Sequence, residues 1–574
     1  MLTWIELGVA AALGVLAWTC PMLGASWFAR VERRFVALAH RQKLSLVVVA
    51  LFALAGRAVV LPILPEPQPY VNDEFSYLLA ADTFAHGRLT NPPHPLWVHF
   101  ETFHVIQQPT YASIFPPGQG LVLAFGQLTT GHPFVGVWLS VALMCAALTW
   151  MLQGWFSPPW ALLGGLLGAM HFGVFSYWAN SYWGGAVAAL GGALVFGALP
   201  RIRSSQRVGD AVLMGLGVAI LANTRPYEGL ISCLPVAAAL AVWVLREPRP
   251  PLRVVLGRVL TPLGLVLSLG ALFTCYYFGR VTGSPFCMPY QVNQATYRVA
   301  PYFIWQSPRP EPFYHHEVMR EFHKYNEFDF YKRNRSAVGI AGVIAAKLIH
   351  LWFFYLGPLL TLPFVMVIGT LPPGFSWRCL APPTRFLLVA TAVSFTGVAG
   401  EVLYFPHYTA PVTCLILALL LVAMRHLYEW QTNGQPAQQF LIRALPVGCA
   451  FLLALRAAAG PMHLPLSPDW PLTWYNWTNH LTDRTRIIAE LQAHPGGQLV
   501  IVRYAPHSKA LPVGLPEWVH NRADIDHAKI VWAQDMGAAG NQELVDYYRN
   551  RQVWLVEPDA SPPRLLPYRG KASP

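Results

Sequence analysis

The chain has 574 residues, of which 54% are hydrophobic and only 12% are charged. Charged residues are too few to cover a soluble protein of this size, so the chain is a membrane protein. Its formal net charge of +12 does not predict nucleic-acid binding, because Lys and Arg occur in short clusters between apolar segments. The eight cysteines include no CxxC pair, so neither a disulfide framework nor a zinc site is expected.

Apolar segments long enough to cross a membrane recur along residues 1–460. A hydrocarbon core of about 30 Å takes about 17 to 25 helical residues. The segment 116–130 is apolar but short and glycine-rich, so it predicts a re-entrant or surface-lying helix. The predicted spans, about twelve in number, are 4–28, 44–62, 134–153, 159–177, 184–200, 208–224, 228–245, 254–279, 343–370, 385–404, 408–424 and 444–460.

Basic residues in the connectors fall on one side of the membrane when 116–130 is not counted as a crossing. The positive-inside rule makes that side cytoplasmic. Both termini and the outer loops 63–133 and 280–342 are then predicted to face the periplasm or its equivalent. The basic connector residues are Arg30, Arg33, Arg34, Arg41, Lys43, Arg201, Arg203, Arg207, Arg246, Arg249, Arg253, Arg378, Arg385, Arg425 and Arg443.

The tail, residues 461–574, is more polar than the rest of the chain. Three short apolar segments rich in β-formers alternate there with helical patterns, which predicts a small α/β domain with a partly parallel sheet outside the membrane. No glycine-rich phosphate loop follows any of these segments, and no catalytic motif is found. The predicted strands are 498–503, 529–532 and 552–556, and the predicted helices are 483–493 and 541–550.

The first outer loop begins QPYVNDEFSYLLAADTFAHG, residues 68–87. Asn72 is predicted to cap a helix over 73–86. In one interpretation Asp73 and Glu74 are simply the opening of that helix, since carboxylates stabilise a helix N-terminus. The apolar face predicted to rest on the membrane comprises Phe75, Leu78 and Leu79.

The second interpretation of the acidic pair is chemical. The same loop holds His94 and His104, and a carboxylate near histidines at a membrane rim can act as a base or bind a metal. No HxxH or HExxH spacing occurs in the loop, so the histidines alone do not predict a dedicated metal site. The local sequence leaves both interpretations open.

Further polar residues cluster at the predicted outer ends of spans. Charge in or beside a span is costly and usually faces a protein cavity, so these residues are candidates for binding a lipid-linked phosphate or another part of the substrate. Snorkelling to lipid headgroups, or an internal pair between Arg225 and Glu228, explains them equally well. The candidates are Arg57, Asn180, Arg225, Glu228, His407 and Tyr408.

The motif order resembles the GT-C integral-membrane glycosyltransferases, the superfamily of protein O-mannosyltransferases and lipid A aminoarabinose transferases. The motifs are NDEFSYLLAADTFAHGRL, IFPPGQGLVLAFGQL with GHPFVGVWLSVAL, and YFPHYTAP. The resemblance implies a GT-C-like fold, a sugar donor on a polyprenyl phosphate, and a role for Asp73, with Glu74 beside it, as base or metal-binding residue. Many relatives carry another acidic residue in the next outer loop, where this chain has Asn180 between Ala179 and Ser181. A two-carboxylate metal site is therefore not favoured, and a divalent metal at Asp73 stays open.

These observations predict an all-α polytopic membrane protein with a small C-terminal α/β extramembrane domain, divided at 460/461. The expected function is transfer of a sugar from a polyprenyl-phosphate donor to a hydroxyl of a lipid, glycan or protein, with inversion, at the periplasmic face of a bacterial inner membrane. Membrane lipids are expected partners. One alternative is a lipid-linked sugar transporter or flippase. Another is an O-antigen polymerase or ligase that uses His315, His316 and Arg320 of the later outer loop.

Overall fold

The computed structural model describes residues 1–247, 249–430, 437–464, 471–477, 483–505 and 517–569. Apolar helices dominate the first 460 residues, as the sequence predicts. In chain order the first ten are α1 (Leu2–Thr19), α2 (Ala25–Ala39), α3 (Gln42–Val60), α4 (Asn72–Ala85), α5 (Pro117–Thr130), α6 (Phe134–Trp155), α7 (Pro158–Phe172), α8 (Ala186–Ser205), α9 (Val208–Ala222) and α10 (Pro226–Leu245). A two-stranded ribbon of β1 (Val105–Ile106) and β2 (Ala112–Ser113) lies between α4 and α5.

The second half of the membrane domain contains a longer span and several short helices in the outer loop. These are α11 (Leu252–Val254), α12 (Thr261–Thr282), α13 (Pro289–Thr296), α14 (Glu317–Arg320), α15 (Glu327–Arg333), α16 (Ala337–Tyr355), α17 (Gly357–Ile368), α18 (Pro382–Ala399), α19 (Thr413–Glu429) and α20 (Ala437–Ala459). A π-helical turn joins α11 to α12, and another joins α14 to α15.

Nine helical segments among the described residues are long and apolar enough to cross a membrane. The chain is thus a multi-pass membrane protein, as predicted. Each of the twelve predicted spans lies on a helix. Three of those helices, however, are too short or not apolar enough to be counted among the nine crossing segments. Two of them, α7 and α9, have 15 residues each, and the third is α18.

Two predicted spans are interrupted in the structure. The span predicted at 4–28 ends at Thr19, and α2 begins after Gly24, whose φ of 68° belongs to the left-handed region. The span predicted at 343–370 is divided between α16 and α17, because Gly357 adopts a φ of 58° that a continuous right-handed helix cannot accommodate. Hydropathy alone does not detect these breaks, since the residues on both sides are apolar.

Helix α5 agrees with the predicted surface-lying or re-entrant helix. Its 14 residues extend about 21 Å, which is shorter than a hydrocarbon core of about 30 Å. Glycines allow α5 to approach its neighbours closely: a Cβ on Gly136 of α6 would lie 2.1 Å from the Val122 carbonyl oxygen, and one on Gly120 would lie 2.8 Å from Ala80 of α4. The helix is therefore packed between α4 and α6.

The C-terminal residues form the predicted α/β fold. Its elements are α21 (Asp483–Ala493), β3 (Gly497–Val502), β4 (Ile530–Gln534), α22 (Gly537–Tyr547), β5 (Arg551–Glu557) and β6 (Arg564–Pro567). The strand order is β4-β3-β5-β6, with β3 parallel to both β4 and β5, and β6 antiparallel to β5. The partly parallel sheet is as predicted, whereas β6 was not predicted.

The α/β domain packs directly against the first outer loop. Leu79 and Phe100 of that loop share an apolar core with Leu499 and Ile501 of β3. The prediction that this face of α4 rests on the membrane is therefore wrong, because the C-terminal domain covers it. The segment 471–477 packs elsewhere, since Trp474 and Tyr475 lie in an apolar cluster with residues of α1, α17 and α20.

Candidate functional site

The acidic pair lies at the first turn of α4, but the cap of this helix differs from the prediction. Val71 is the residue at the cap position. The side chain of Asn72 does not cap the helix, because its Oδ1 accepts the backbone N–H of Glu517 in the C-terminal domain at 2.9 Å. Glu74 instead binds the residues that precede the helix, since its Oε2 accepts the N–H groups of Tyr70 at 2.7 Å and Val71 at 3.0 Å.

Glu74 is completely buried and connects two loops. Its Oε1 accepts the backbone N–H of Tyr182, in the loop between α7 and α8, at 2.9 Å. Burial raises its pKa to about 7, although three backbone N–H groups favour the carboxylate. This environment holds the start of α4 against the loop that contains Tyr182 and leaves no open face for a substrate.

Asp73 has a different environment from its neighbour. Its Oδ1 lies 2.6 Å from Nδ1 of His104, and the two side chains are 19% and 17% exposed. His104 adopts a left-handed φ of 59°, and its carbonyl oxygen accepts the hydroxyl of Ser76 at 2.6 Å and the N–H of Ile114 at 3.3 Å. The acidic pair thus consists of one partly exposed carboxylate and one that is completely buried.

Arg225 lies at the N-terminus of α10. Its guanidinium is 3.5 Å from the Glu228 carboxylate and lies over the Tyr408 ring at 4.5 Å. Burial raises the pKa of the Tyr77 hydroxyl. The nearby charges also act on that pKa, since Arg225 lowers it and Asp73 raises it. Tyr408 is also within electrostatic range of both Arg225 and Asp73. A carboxylate and a guanidinium therefore lie within electrostatic range of the same two tyrosines.

His407 is fully buried beside Tyr408. The Tyr177 hydroxyl lies 3.0 Å from its Nδ1, and the Trp183 ring is 5.0 Å from its own ring. If the hydroxyl donates to Nδ1, the proton of the imidazole is on Nε2, which has no hydrogen-bond partner in the described part of the chain. His407 is also within electrostatic range of Arg225.

A buried ion cluster in the second outer loop adjoins the site. Arg298 pairs with Glu327 at 3.2 Å, and Nδ1 of His323 lies 2.7 Å from the same carboxylate. Burial raises the pKa of Glu327, but Arg298, His323 and His104 outweigh that effect and hold it at about 2. Glu327 therefore stays ionised within electrostatic range of His104, with its charge balanced by Arg298.

Sequence reasoning missed the members of this cluster and also Glu401. Glu401 is 8% exposed and within electrostatic range of Glu228, Arg225 and Lys347. The Nζ of Lys347 donates to the Glu401 carbonyl oxygen at 2.5 Å. A lysine inside the apolar span predicted at 343–370 was a signal for such a site, because a charge there requires a polar partner.

Two predicted binding residues donate to backbone carbonyl oxygens near them in the sequence. Arg57 donates to the carbonyl oxygens of Leu64 at 2.8 Å and Pro65 at 3.0 Å, and closes the end of α3. Asn180 donates to the carbonyl oxygens of Val174 at 2.8 Å and Ser176 at 2.9 Å. These contacts give both residues a structural role.

His94 contacts the C-terminal domain. Its Nε2 lies 3.1 Å from Oδ1 of Asp526, and its Nδ1 accepts the N–H of Leu96 at 2.9 Å. For metal binding, the described residues contain no group of three or more His, Cys, Asp or Glu side chains arranged to hold an ion. Asp73 and His104 supply two suitable ligand types, so a metal at Asp73 stays a prediction.

Neither a family model nor a curated protein sequence matches the chain. Among solved structures, the chain is similar to ArnT of Cupriavidus metallidurans in the apo state, with 13% identity over 89% of this chain and 92% of that chain and a TM-score of 0.48. It is also similar to the oligosaccharyltransferase of Archaeoglobus fulgidus tethered with an acceptor peptide, with 13% identity over 90% of this chain and 69% of that chain and a TM-score of 0.46. At these identities the likeness concerns the fold alone. Both proteins are GT-C fold glycosyltransferases, the group that the sequence motifs resemble.

Proposed function

We propose that the chain is a membrane glycosyltransferase that moves a sugar from a polyprenyl-phosphate donor to an acceptor hydroxyl. The observation that carries the proposal is that Asp73 and Arg225 both lie within electrostatic range of Tyr77 and Tyr408, with the Arg225 guanidinium over the Tyr408 ring. A partly exposed carboxylate suits a general base, and a buried guanidinium suits a phosphate, so one site offers both groups that the reaction needs.

In the proposed reaction the acceptor oxygen attacks the anomeric carbon of the donor sugar. The new bond forms from acceptor oxygen to anomeric carbon, the bond from that carbon to the phosphate oxygen breaks, and the hydroxyl proton moves to Asp73. A single displacement of this kind inverts the anomeric centre. His104, 2.6 Å from Asp73, orients the carboxylate and stabilises its charge before the proton arrives.

Arg225 is the proposed partner of the departing polyprenyl phosphate. In the described part of the chain its guanidinium makes no hydrogen bond shorter than the 3.5 Å contact with Glu228, which leaves donors for phosphate oxygens. The Nε2–H of His407 is a further buried donor within electrostatic range of the same guanidinium. Such donors stabilise the charge that develops on the leaving oxygen.

The proposed location of the site is the periplasmic face of a bacterial inner membrane. This orientation is supported by the basic connectors, which the positive-inside rule assigns to the opposite, cytoplasmic side. Since the C-terminal domain packs against the loop that carries Asp73, the same argument makes it a periplasmic domain. The polymerase or ligase alternative is less well supported: His315 pairs with the buried Glu101, and Arg320 with the half-exposed Glu311.

Replacing Asp73 with asparagine tests the proposal. The variant keeps the size of the side chain but cannot accept the proton, so turnover of a polyprenyl-phosphate sugar should fall roughly 100-fold or more. Release of the lipid phosphate from purified protein in nanodiscs is the measurement, beside a melting curve. Asp329→Asn is the matched control, because that aspartate is 58% exposed and, among the described residues, its ion pair is with the exposed Lys332.

Two results would contradict the proposed function. Near-normal turnover by a folded Asp73→Asn protein would remove the general base. Movement of the lipid-linked sugar between leaflets, without release of the lipid phosphate, would instead make the chain a flippase.

A further inference from the structure

The C-terminal domain is fastened to the turn that carries Asp73. The Phe75 ring stacks on the His520 ring with 4.1 Å between centroids and 5° between planes, and the Arg484 guanidinium lies 4.8 Å from the Phe75 centroid. Next to this contact, Asn72 accepts the N–H of Glu517. The residues on either side of the acidic pair are therefore both held by the same domain.

Glu517 also holds the loop segment that carries His104. Its completely buried carboxylate accepts the Thr102 hydroxyl, and it accepts the Tyr504 hydroxyl at 2.5 Å and the Val519 N–H at 2.9 Å. Gln534 of β4 donates its amide to the same carboxylate at 3.3 Å and to the Glu101 carbonyl oxygen at 3.1 Å. A carboxylate with so many donors is fixed in position.

Glu517 thus contacts both halves of the Asp73–His104 pair through their chain neighbours. Its N–H binds the residue before Asp73, and its carboxylate binds Thr102, two residues before His104. His104 is in a left-handed conformation, which a residue with a side chain keeps only when its surroundings determine it. Ser76 and Ile114 hold the His104 carbonyl oxygen directly, and Glu517 adds a contact two residues earlier, at Thr102.

We propose that the C-terminal domain positions the catalytic pair, with Glu517 as the positioning residue. The inference rests on the proposed function of Asp73 and assigns a role to a domain in which no catalytic motif is found. A displacement of about 1 Å between a base and its substrate can cost about 100-fold in rate. The domain therefore acts on turnover through geometry, without touching the substrate.

A pair of substitutions at Thr102 tests this role. Thr102→Val removes the hydroxyl that donates to Glu517 and nearly preserves the volume, so kcat should fall roughly 10- to 100-fold with the donor KM within about twofold of wild type. Thr102→Ser restores the hydroxyl and should recover kcat to within about threefold. The matched control is Tyr111→Phe, which deletes another hydroxyl that crosses the same interface, to the Asn521 carbonyl oxygen at 3.1 Å. Its kcat should stay within about threefold of wild type.

The outcomes separate this inference from the proposed function. If Asp73→Asn is inactive but folded Thr102→Val turns over normally, Glu517 does not position the pair and only this inference fails. If Asp73→Asn is itself active, the proposed function fails first. Should Thr102→Val not fold, Asn72→Ala replaces it as the test. Asn72→Ala removes the hydrogen bond from the Glu517 N–H to Asn72 and should lower kcat in the same way. Equal losses of kcat in Thr102→Val and Tyr111→Phe would also overturn the inference, since they would indicate a general loosening of the domain.

Discussion

Glu74→Gln tests whether the second carboxylate of the acidic pair is a structural group. Burial raises the pKa of Glu74 from its ordinary value of 4.5 to about 7 in the folded chain. At a pH between these two pKa values, Glu74 is deprotonated in the unfolded chain but still protonated in the folded chain. The unfolded state therefore gains stability relative to the folded state as the pH rises. The contribution of Glu74 to stability is therefore fully present below pH 4.5 and is lost as the pH rises through 7.

The size of this effect follows from the interval between the two pKa values. Each pH unit in that interval costs about 1.4 kcal/mol, so the unfolding free energy falls by roughly 3 kcal/mol because of Glu74 alone. With an unfolding entropy of about 2.1 cal/mol/K per residue, this loss lowers the melting temperature by roughly 2 to 3 °C. Glutamine cannot ionise, so the variant lacks this pH-dependent loss.

The assay is thermal unfolding of wild type and Glu74→Gln in detergent at pH 4.5 and at pH 8. Other titrating groups act equally on both proteins, so the difference between the two pH-dependent losses isolates Glu74. Because a glutamine amide opposes backbone N–H groups that now bind the Glu74 carboxyl group, the variant should melt lower than wild type at pH 4.5, and this deficit should be smaller at pH 8. Equal pH-dependent losses in the two proteins would refute the assignment. A turnover loss of 100-fold or more with unchanged melting would instead give Glu74 a catalytic role.

Two further predictions concern packing and phosphate binding. Gly192→Ala should impair folding or expression, because its Cβ would lie 1.8 Å from the Pro411 carbonyl oxygen. Gly342→Ala is the control and should be neutral or stabilising, because its Cβ would have nothing within 4 Å. Detergent-solubilised yield and melting temperature measure both variants. Arg225→Ala should raise the donor KM at least about 10-fold, and Arg225→Lys should recover only part of that loss, since an ammonium lacks the planar fork of guanidinium. Unchanged donor kinetics in a folded Arg225→Ala protein would remove the residue from the site.

The sequence by itself determined the properties that depend on local composition and periodicity. Each predicted span lies on a helix, because about 20 consecutive apolar residues are a local signal. The three predicted strands of the C-terminal domain are also present, since short segments rich in β-formers are bounded by polar turns. The acidic pair could likewise be located in the first outer loop from sequence alone.

The tertiary structure decided which of these polar residues share one site. Asp73 and Glu74 are adjacent in sequence, yet Glu74 is buried because it reaches Tyr182, and Asp73 remains accessible beside His104. Arg57 and Arg225 are equivalent by hydropathy, but the first binds nearby carbonyl oxygens and the second faces Tyr408. Hydrophobic periodicity reports only that a residue is buried, so the identity of its partners required the fold.

The contact between the membrane domain and the C-terminal domain is the feature that most clearly required the tertiary structure. The apolar face of α4 has the same pattern whether a membrane or a protein domain covers it, so the sequence did not distinguish the two. Glu517 and Thr102 are separated by 415 residues along the chain, and their contact joins the C-terminal domain to the loop that carries His104. No local pattern encodes such a contact, because it exists only after both domains have folded and packed together.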